Sequence, residues 1–300
     1  MMGAGFTAIN LSLLPPPDVL ELVDYEATLS DMLAELRARD SAFDALVESD
    51  PAYKLLEIAA YYRMLAVQQL NDAARAVMPA YAKGADLDHI AARYNVARLV
   101  LDAGDPNALP PVLPTMEGDE DFRRRMLLAF EGLSTAGPVG AYVFHALGAD
   151  PDVADASVLS PVPGEVLVTV LSRQGGGTPS GELIAAVEAA VNADDVRPLT
   201  DLVTVQSGQI LPYAVEAVLT VYPGPDSAIV LAAAQAATEA FVTEQHKLGR
   251  DVTLSGLYAA LHRPGVQNVT LISPVADLVA DDTQASYCTR IDITIGGQNV

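Results

Sequence analysis

The sequence predicts an α+β protein, in which an N-terminal helical region precedes two related α+β modules with mixed or antiparallel sheets. Apolar residues recur every three or four positions through the first hundred residues, which is the helical period. Later runs rich in β-branched residues, such as 166–171 and 291–295, predict strands. These patterns divide the chain into a helical region (1–101), a proline-rich linker (102–118), a first α+β module (119–200) and a second α+β module (201–300).

The helical region contains an unusually apolar helix. The Asp50-Pro51 pair is typical of a helix N-terminus, and Pro79 predicts the end or a kink of the helix expected over 52–78. Its apolar face is too wide for one neighbouring helix to cover, so it lies inside a bundle or at a subunit contact. We predict an assembly interface at Leu55, Leu56, Ile58, Tyr61, Tyr62 and Leu65.

The rest of the chain alternates between helix and strand. Helices are expected over 119–131, 138–147, 179–192, 226–247 and 254–262, and strands over 153–159, 165–171, 201–206, 213–221, 266–272 and 287–295. Tyr142 and Tyr258 each lie in a predicted helix that precedes a strand ending in Ser-Pro-Val. This repeated order predicts two related modules, the second with a longer hairpin loop around 280–283.

Composition argues against several kinds of partner. The net charge of −22 repels nucleic acid and anionic lipid, so neither is an expected partner. The one dense basic cluster, Arg123-Arg124-Arg125, fans around a helix axis and is expected to be a solvated helix face or a salt-bridge cluster at a protein interface. A single cysteine, Cys288, suits a buried thiol in a reducing compartment. Residues 1–10 show no secretory signal, and no apolar run is long enough to span a membrane.

Motifs for chemistry are incomplete. The segment from Gly132 to Gly137 resembles a nucleophile elbow around Ser134, but a helix precedes it where a strand is needed. The Gly175-Gly176-Gly177 loop lacks the lysine of a phosphate-binding loop, and Thr178 is expected to cap the following helix. A cation held by His145, Asp150 and Asp152 is a further alternative. We therefore expect no catalytic residue, cofactor or metal.

A set of collinear motifs resembles the baseplate assembly protein J family, the baseplate J-like wedge proteins of contractile-tailed phages and related tail-like particles. The resemblance covers about residues 45–297 and departs from the family at Pro79. The motifs that carry it are Asp50-Pro51-Ala52-Tyr53, Gly84-Ala85-Asp86-Leu87-Asp88, Asp121-Phe122-Arg123-Arg124-Arg125, Gly140-Ala141-Tyr142, Arg197-Pro198-Leu199-Thr200-Asp201, Tyr222-Pro223-Gly224-Pro225 and Tyr287-Cys288.

The resemblance implies a structural subunit of the baseplate wedge, which assembles around the central hub and rearranges to trigger sheath contraction. Its implied partners are other copies of itself, a smaller lysozyme-like wedge protein, a companion baseplate protein and the central hub or spike. Such a subunit is made and assembled in the cytoplasm of the bacterial host. The alternatives are an enzyme, either a hydrolase or metal-dependent, and a free-standing binding module.

Overall fold

The computed structural model describes residues 11, 14–224 and 226–298. Residues 1–10, where no secretory signal was expected, and Pro225 of the 222–225 motif lie outside the described residues. The chain forms two compact units. One contains the described residues up to Ala97 together with Asp119–Arg123, and the other contains Arg98–Gly118 and the described residues from Arg124 onwards. The four-part division predicted from the sequence stays a prediction.

The described part of the first unit contains the α-helices α1 (Tyr25–Arg39), α2 (Pro51–Ala76) and α3 (Gly84–Ala92), a short 3-10 helix at Ser41–Phe43 and the first residues of the helix that begins at Asp119. Asp24 caps α1, because its Oδ1 accepts a hydrogen bond from the Ala27 N–H at 3.0 Å. Pro51 occupies the first turn of α2, as the sequence predicts. Helix α1 packs on α2 through a small core formed by Leu29, Leu33 and Ala60.

The proline-rich segment forms a hairpin, although the sequence predicts a linker there. Strands β1 (Val100–Asp102) and β2 (Thr115–Met116) pair antiparallel, and Asp105 and Val112 exchange two backbone hydrogen bonds of 3.0 and 2.9 Å. Gly104 makes this crossing possible, since a Cβ there would lie 2.4 Å from the Val112 carbonyl oxygen. Periodicity misses such short strands because they hold too few residues to show alternation.

Helix α4 (Asp119–Gly132) carries the three consecutive arginines, which fan around its axis as expected. Arg123 donates to the Pro79 and Ala82 carbonyl oxygens at 2.7 and 2.6 Å. Arg124 forms an ion pair with Asp155 at 2.6 Å.

The expectation of a solvated helix face is wrong for two of these arginines, because the side chains of Arg123 and Arg125 are only 9% and 7% exposed. Arg125 binds Glu117 with two hydrogen bonds, Nε to Oε1 at 2.8 Å and Nη2 to Oε2 at 2.6 Å. A buried charge is tolerated only when it is paired, and the sequence does not show which acid supplies the pair.

The first module combines a mixed three-stranded sheet with two helices. Helices α5 (Val139–Ala149) and α6 (Gly181–Val191) pack on the sheet of β3 (Val153–Leu159), β4 (Glu165–Ser172) and β5 (Leu202–Ser207). Strand β4 is central, antiparallel to β3 and parallel to β5. A parallel pair needs a crossover connection, and α6 supplies it.

The second module has the same sheet layout in a different chain order. Its elements are β6 (Gln209–Val221), α7 (Ser227–Gln245), α8 (Leu254–Leu261), β7 (Val266–Ser273) and β8 (Gln284–Gln298). Strand β6 is central, antiparallel to β7 and parallel to β8. Each module therefore has one antiparallel edge strand and one parallel edge strand. The α+β class with two related modules, as predicted, is confirmed.

Around the repeated Ser-Pro-Val motif the two modules correspond over one helix and the strand that comes after it. Beyond that strand the two modules differ. The first copy directly follows β3 and the second begins at the last residue of β7, and both are antiparallel edge strands that come after a short helix. The predicted hairpin around 280–283 is wrong, because β6 lies between β7 and β8. Strand pairing is a non-local choice, so similar local order does not fix which strands become neighbours.

The two modules meet at Gly208, where the chain passes from β5 into β6. The Gly208 N–H donates to the Val170 carbonyl oxygen at 2.9 Å, and the next residue, Gln209, donates to the Thr283 carbonyl oxygen at 2.9 Å. Asp155 of β3 strengthens the junction, since its Oδ2 accepts from the Leu248 N–H at 3.0 Å while its Oδ1 pairs with Arg124. The junction therefore ties the two sheets within a single compact unit.

Glu117→Ala is predicted to lower the free energy of unfolding by about 3–5 kcal/mol, because it leaves the Arg125 guanidinium buried without its partner. Denaturant titration followed by circular dichroism measures this loss. Glu120→Gln is the matched control, since Glu120 is 91% exposed where it pairs with Arg123. That change is expected to cost less than about 1 kcal/mol. Equal effects of the two substitutions would show that burial of the Glu117 pair is unimportant.

Candidate assembly interface

Helix α2 has two apolar faces, of which only one is covered. Ala60, Val67 and Asn71 are buried on one side of the helix, and Leu56 packs there against the core formed with α1. Asn71 exchanges hydrogen bonds with the Glu21 backbone at 3.0 and 2.8 Å, which satisfies its buried amide. This face accounts for part of the wide apolar surface that the sequence shows.

The other face carries a stripe that no described residue covers. Leu55, Ile58 and Tyr62 are 68%, 53% and 65% exposed, and Leu65 at the end of the stripe is half-buried. Tyr61 borders the stripe at 48% exposure, and its ring meets that of Tyr62 edge-on at 5.8 Å between centroids. The structure thus brings five of the six candidate residues together, whereas Leu56 lies on the covered face.

The stripe has a symmetric spacing. Its members, Leu55, Ile58, Tyr62 and Leu65, are separated by three, four and three residues, so reading the helix backwards gives the same pattern. Such steps hold the side chains on one face of an α-helix. Contiguous exposed apolar residues on a folded chain mark surfaces for interaction.

The structure gives no support to the nucleophile elbow. Ser134 follows the C-terminus of helix α4, where an elbow requires the end of a strand. Its hydroxyl accepts a hydrogen bond from the Ala136 N–H at 3.4 Å. A serine in this helix-end turn is not placed between a base and an oxyanion hole, which acyl transfer requires.

The residues considered for a cation bind other groups. His145 Nε2 lies 3.2 Å from the Gly132 carbonyl oxygen. Asp150 accepts from the Asp152 N–H at 2.8 Å, and Asp152 accepts from the Ser172 hydroxyl at 2.7 Å. Across residues 14–224 and 226–298, no three histidine, cysteine or acidic side chains converge as metal ligands would.

The glycine-rich loop serves packing between the modules. A Cβ at Gly177 would lie 2.6 Å from Leu171 Cδ1 and 3.0 Å from His246 Nε2, so only glycine fits without displacement. The prediction that Thr178 caps the next helix is wrong, because Ser180 is the cap and accepts from the Leu183 N–H at 3.1 Å. Either hydroxyl fits the sequence pattern, and the path of the loop decides between them.

The buried tyrosine of the Gly140-Ala141-Tyr142 motif also has a structural role. The Tyr142 hydroxyl donates to Asp201 Oδ2 at 2.8 Å, and the tyrosine is 1% exposed. Burial and the hydrogen bond to the Asp201 carboxylate raise the pKa of Tyr142 well above its ordinary range. This hydroxyl therefore stays protonated at neutral pH and links helix α5 to the start of β5.

Comparisons with known proteins place all three regions in one family. The sequence matches the Baseplate J-like N-terminal domain over residues 48–105, the central domain over 134–207 and the C-terminal domain over 213–294. It is 48% identical over 298 residues to Baseplate protein J of Escherichia phage P2, covering 97% of this chain and 99% of that protein.

The chain belongs to the baseplate J family. The family consists of structural phage proteins, so this member is a structural subunit of a phage-type tail baseplate. The motif resemblance found in the sequence is thereby confirmed.

A similar solved structure also comes from a baseplate. A chain in the cryo-EM structure of the anti-feeding prophage (AFP) baseplate, 6-fold symmetrised, is 16% identical with a TM-score of 0.42. The match covers 61% of this J-family chain and 44% of that chain, which is too weak a similarity for conclusions about function.

Among the described residues, no helix is both long and apolar enough to cross a membrane. Burial raises the pKa of the Cys288 thiol, so less of it is the reactive thiolate at neutral pH. Its Sγ donates to the Arg290 carbonyl oxygen at 3.3 Å.

Cys288 is predicted to react with a disulfide reagent more slowly than free cysteine at pH 7–8, because its raised pKa keeps the thiol protonated there. Stopped-flow measurement of reagent release gives the rate for the folded chain. The same chain in denaturant is the control and should recover the rate of free cysteine. A faster reaction in the folded chain would point to an activated nucleophile.

Proposed function

We propose that this chain is a wedge subunit of the baseplate of a contractile phage tail or tail-like particle, assembling around the central hub and rearranging to trigger sheath contraction. The uncovered stripe on α2 is the observation that carries the proposal. Full burial of an exposed Leu or Ile side chain contributes about 1.5–3 kcal/mol, and Leu55 and Ile58, at 68% and 53% exposure, still have more than half of their surface in water. A neighbouring subunit that covers the stripe recovers this free energy.

The first partner for the stripe is another copy of the same chain. A twofold axis between the stripes of two antiparallel α2 helices, at the level of residue 60 along each helix, would place Leu55 opposite Leu65 of the other copy. The same axis would place Ile58 opposite Tyr62, so each apolar residue meets an apolar residue. This self-complementarity is the requirement of a twofold interface, and the symmetric spacing supports it. The six residues predicted from the sequence thus become a proposed interface in which Leu56 supports the stripe from behind.

The remaining proposed partners follow from the proposed position of the subunit in the baseplate wedge. They are a smaller lysozyme-like wedge protein, a companion baseplate protein and the central hub or spike, and assembly takes place in the cytoplasm of the bacterial host. The division into two compact units supports a rearrangement by rigid bodies, which is a common form of large structural transition. We propose that the subunit acts without catalysis, and the occupied hydrogen bonds of Asp150 and Asp152 favour this over a metal-dependent enzyme.

The isolated chain is predicted to dimerise reversibly through the stripe. Ile58→Asp combined with Tyr62→Asp is expected to raise the dimer dissociation constant by at least about 100-fold, because four carboxylates would be placed in the apolar contact. Sedimentation velocity over a range of concentrations measures the constant. A wild-type chain that stays monomeric at the highest soluble concentration argues against the twofold contact.

Loss of the stripe is also predicted to stop particle assembly. Tails produced with the Ile58→Asp and Tyr62→Asp chain should lack baseplates in electron micrographs, whichever subunit covers the stripe. Leu199→Asp is the control, because it places a carboxylate at another apolar side chain that is 99% exposed and does not lie on α2. Normal, contracting tails from the double variant would contradict the wedge interface, provided that the variant chain is found in the particles.

A further inference from the structure

Helix α4 belongs to both compact units. Its first five residues, Asp119–Arg123, fall in the first unit, where Arg123 donates to the Pro79 and Ala82 carbonyl oxygens. The rest of the helix, from Arg124 onwards, falls in the second unit. Because a continuous helix moves as a rigid element, a displacement of its first turn is carried into the second unit.

The two arginines that hold α4 within the second unit differ in exposure. Arg125 is 7% exposed and makes two hydrogen bonds to Glu117, at the end of the proline hairpin (residues 100–116). Arg124 is 35% exposed and reaches Asp155 through a hydrogen bond of 2.6 Å between Nη2 and Oδ1. A partly hydrated guanidinium returns to water at a lower cost than a buried one, so the contact of Arg124 is the weaker attachment.

The partner of Arg124 depends on that arginine to stay buried. The Asp155 side chain is 5% exposed, and its carboxylate also accepts from the Ala156 N–H at 2.9 Å and from the Leu248 N–H at 3.0 Å. Two neutral N–H groups do not replace a guanidinium, and a buried charge that loses its counterion is strongly destabilised. Without Arg124, the arrangement of lower free energy is one in which the carboxylate reaches water and releases the Leu248 N–H.

Leu248 lies where the two α+β modules meet. A Cβ at Gly208 would lie 3.0 Å from Leu248 Cδ2, so the leucine side chain packs directly on the backbone that joins the two sheets. The Leu248 backbone also forms a bridge with Ala285 of β8. Release of Leu248 therefore loosens the junction between the modules.

We propose that the Arg124–Asp155 ion pair is the latch of this subunit: while it is closed the two modules stay joined, and a displacement of α4 that withdraws Arg124 opens their junction. The cost of an unpaired buried carboxylate disfavours intermediate positions, which gives the latch two discrete states. This inference rests on the proposed function and names the contact through which the subunit rearranges. It is separate from the α2 stripe, which we assign to contacts between subunits.

Hydrogen–deuterium exchange of the purified chain tests the coupling. Arg124→Gln removes the positive charge, so the Leu248 amide should exchange at least about tenfold faster. The amides of Asp105 and Val112, in the hairpin held by Arg125, should keep their wild-type rates.

Arg124→Lys keeps the charge and should restore most of the protection at Leu248. Unchanged exchange at Leu248 in the Arg124→Gln chain overturns the proposal. Equal acceleration at Leu248 and in the hairpin also overturns it, because the ion pair would then stabilise the whole unit and not one junction.

Particles that carry Arg124→Gln test the role of the latch in contraction. The rate of spontaneous contraction, counted as contracted sheaths in electron micrographs over time, should rise at least about tenfold. Val187→Ala is the control for stability, since Val187 is 0% exposed in the core of the first module. Arg250→Gln is the control for charge, since it removes an exposed ion pair with Glu244.

Both control variants should contract at the wild-type rate. A wild-type rate for Arg124→Gln particles, or an equal acceleration by Val187→Ala, overturns the latch. Folded Arg124→Gln chains that do not enter particles would place the ion pair in assembly, which overturns it as well.

Failure of the latch is distinguishable from failure of the proposed function. Quantitative mass spectrometry of wild-type particles measures whether the chain is a baseplate component at all. If it is absent from particles, the proposed function fails. If it is present and Arg124→Gln particles contract normally, only the latch fails.

Discussion

The pairing of buried charge on helix α4 is the constraint on which much of the structure depends. Arg125 and Glu117 are both removed from water, and neither could be buried without the other. Their bidentate contact fixes the end of the proline hairpin to α4, and the Leu99 N–H adds a third hydrogen bond to the same carboxylate. A segment with almost no regular structure thereby gains a defined path.

Arg124 forms a second ion pair with a buried acid, and this pair helps to connect the two α+β modules. Its partner Asp155 is 4% exposed and also accepts a hydrogen bond from the Leu248 backbone, so one carboxylate joins α4, β3 and the segment after α7. The small size of Gly208 and Gly177 helps the junction to pack, since a Cβ at these positions would lie 3.0 Å from Leu248 Cδ2 and 2.6 Å from Leu171 Cδ1. Two sheets that look like independent modules in the sequence therefore belong to one compact unit.

Several polar side chains are buried inside the protein, whereas some large apolar side chains are exposed on its surface. Buried Glu117 and Asp155 are paired with Arg125 and Arg124, and Asp150 and Asp152 accept structural hydrogen bonds. Apolar side chains remain uncovered on α2 and at the tip of the proline hairpin. This distribution suits a baseplate subunit, whose free energy of assembly comes from burying such surfaces against neighbours.

The sequence by itself determined the local elements, the α+β class and the family, because helical and strand periods and contiguous motifs are short-range properties. It identified α2 as having more apolar surface than one neighbour covers. Only the tertiary structure decided that Leu56 lies on the covered face, that β6 separates β7 from β8, and that the linker is a hairpin held by Glu117. Strand partners, ion pairs and exposure depend on contacts between residues that are far apart along the chain. A pattern among neighbouring residues does not show which distant residues come into contact.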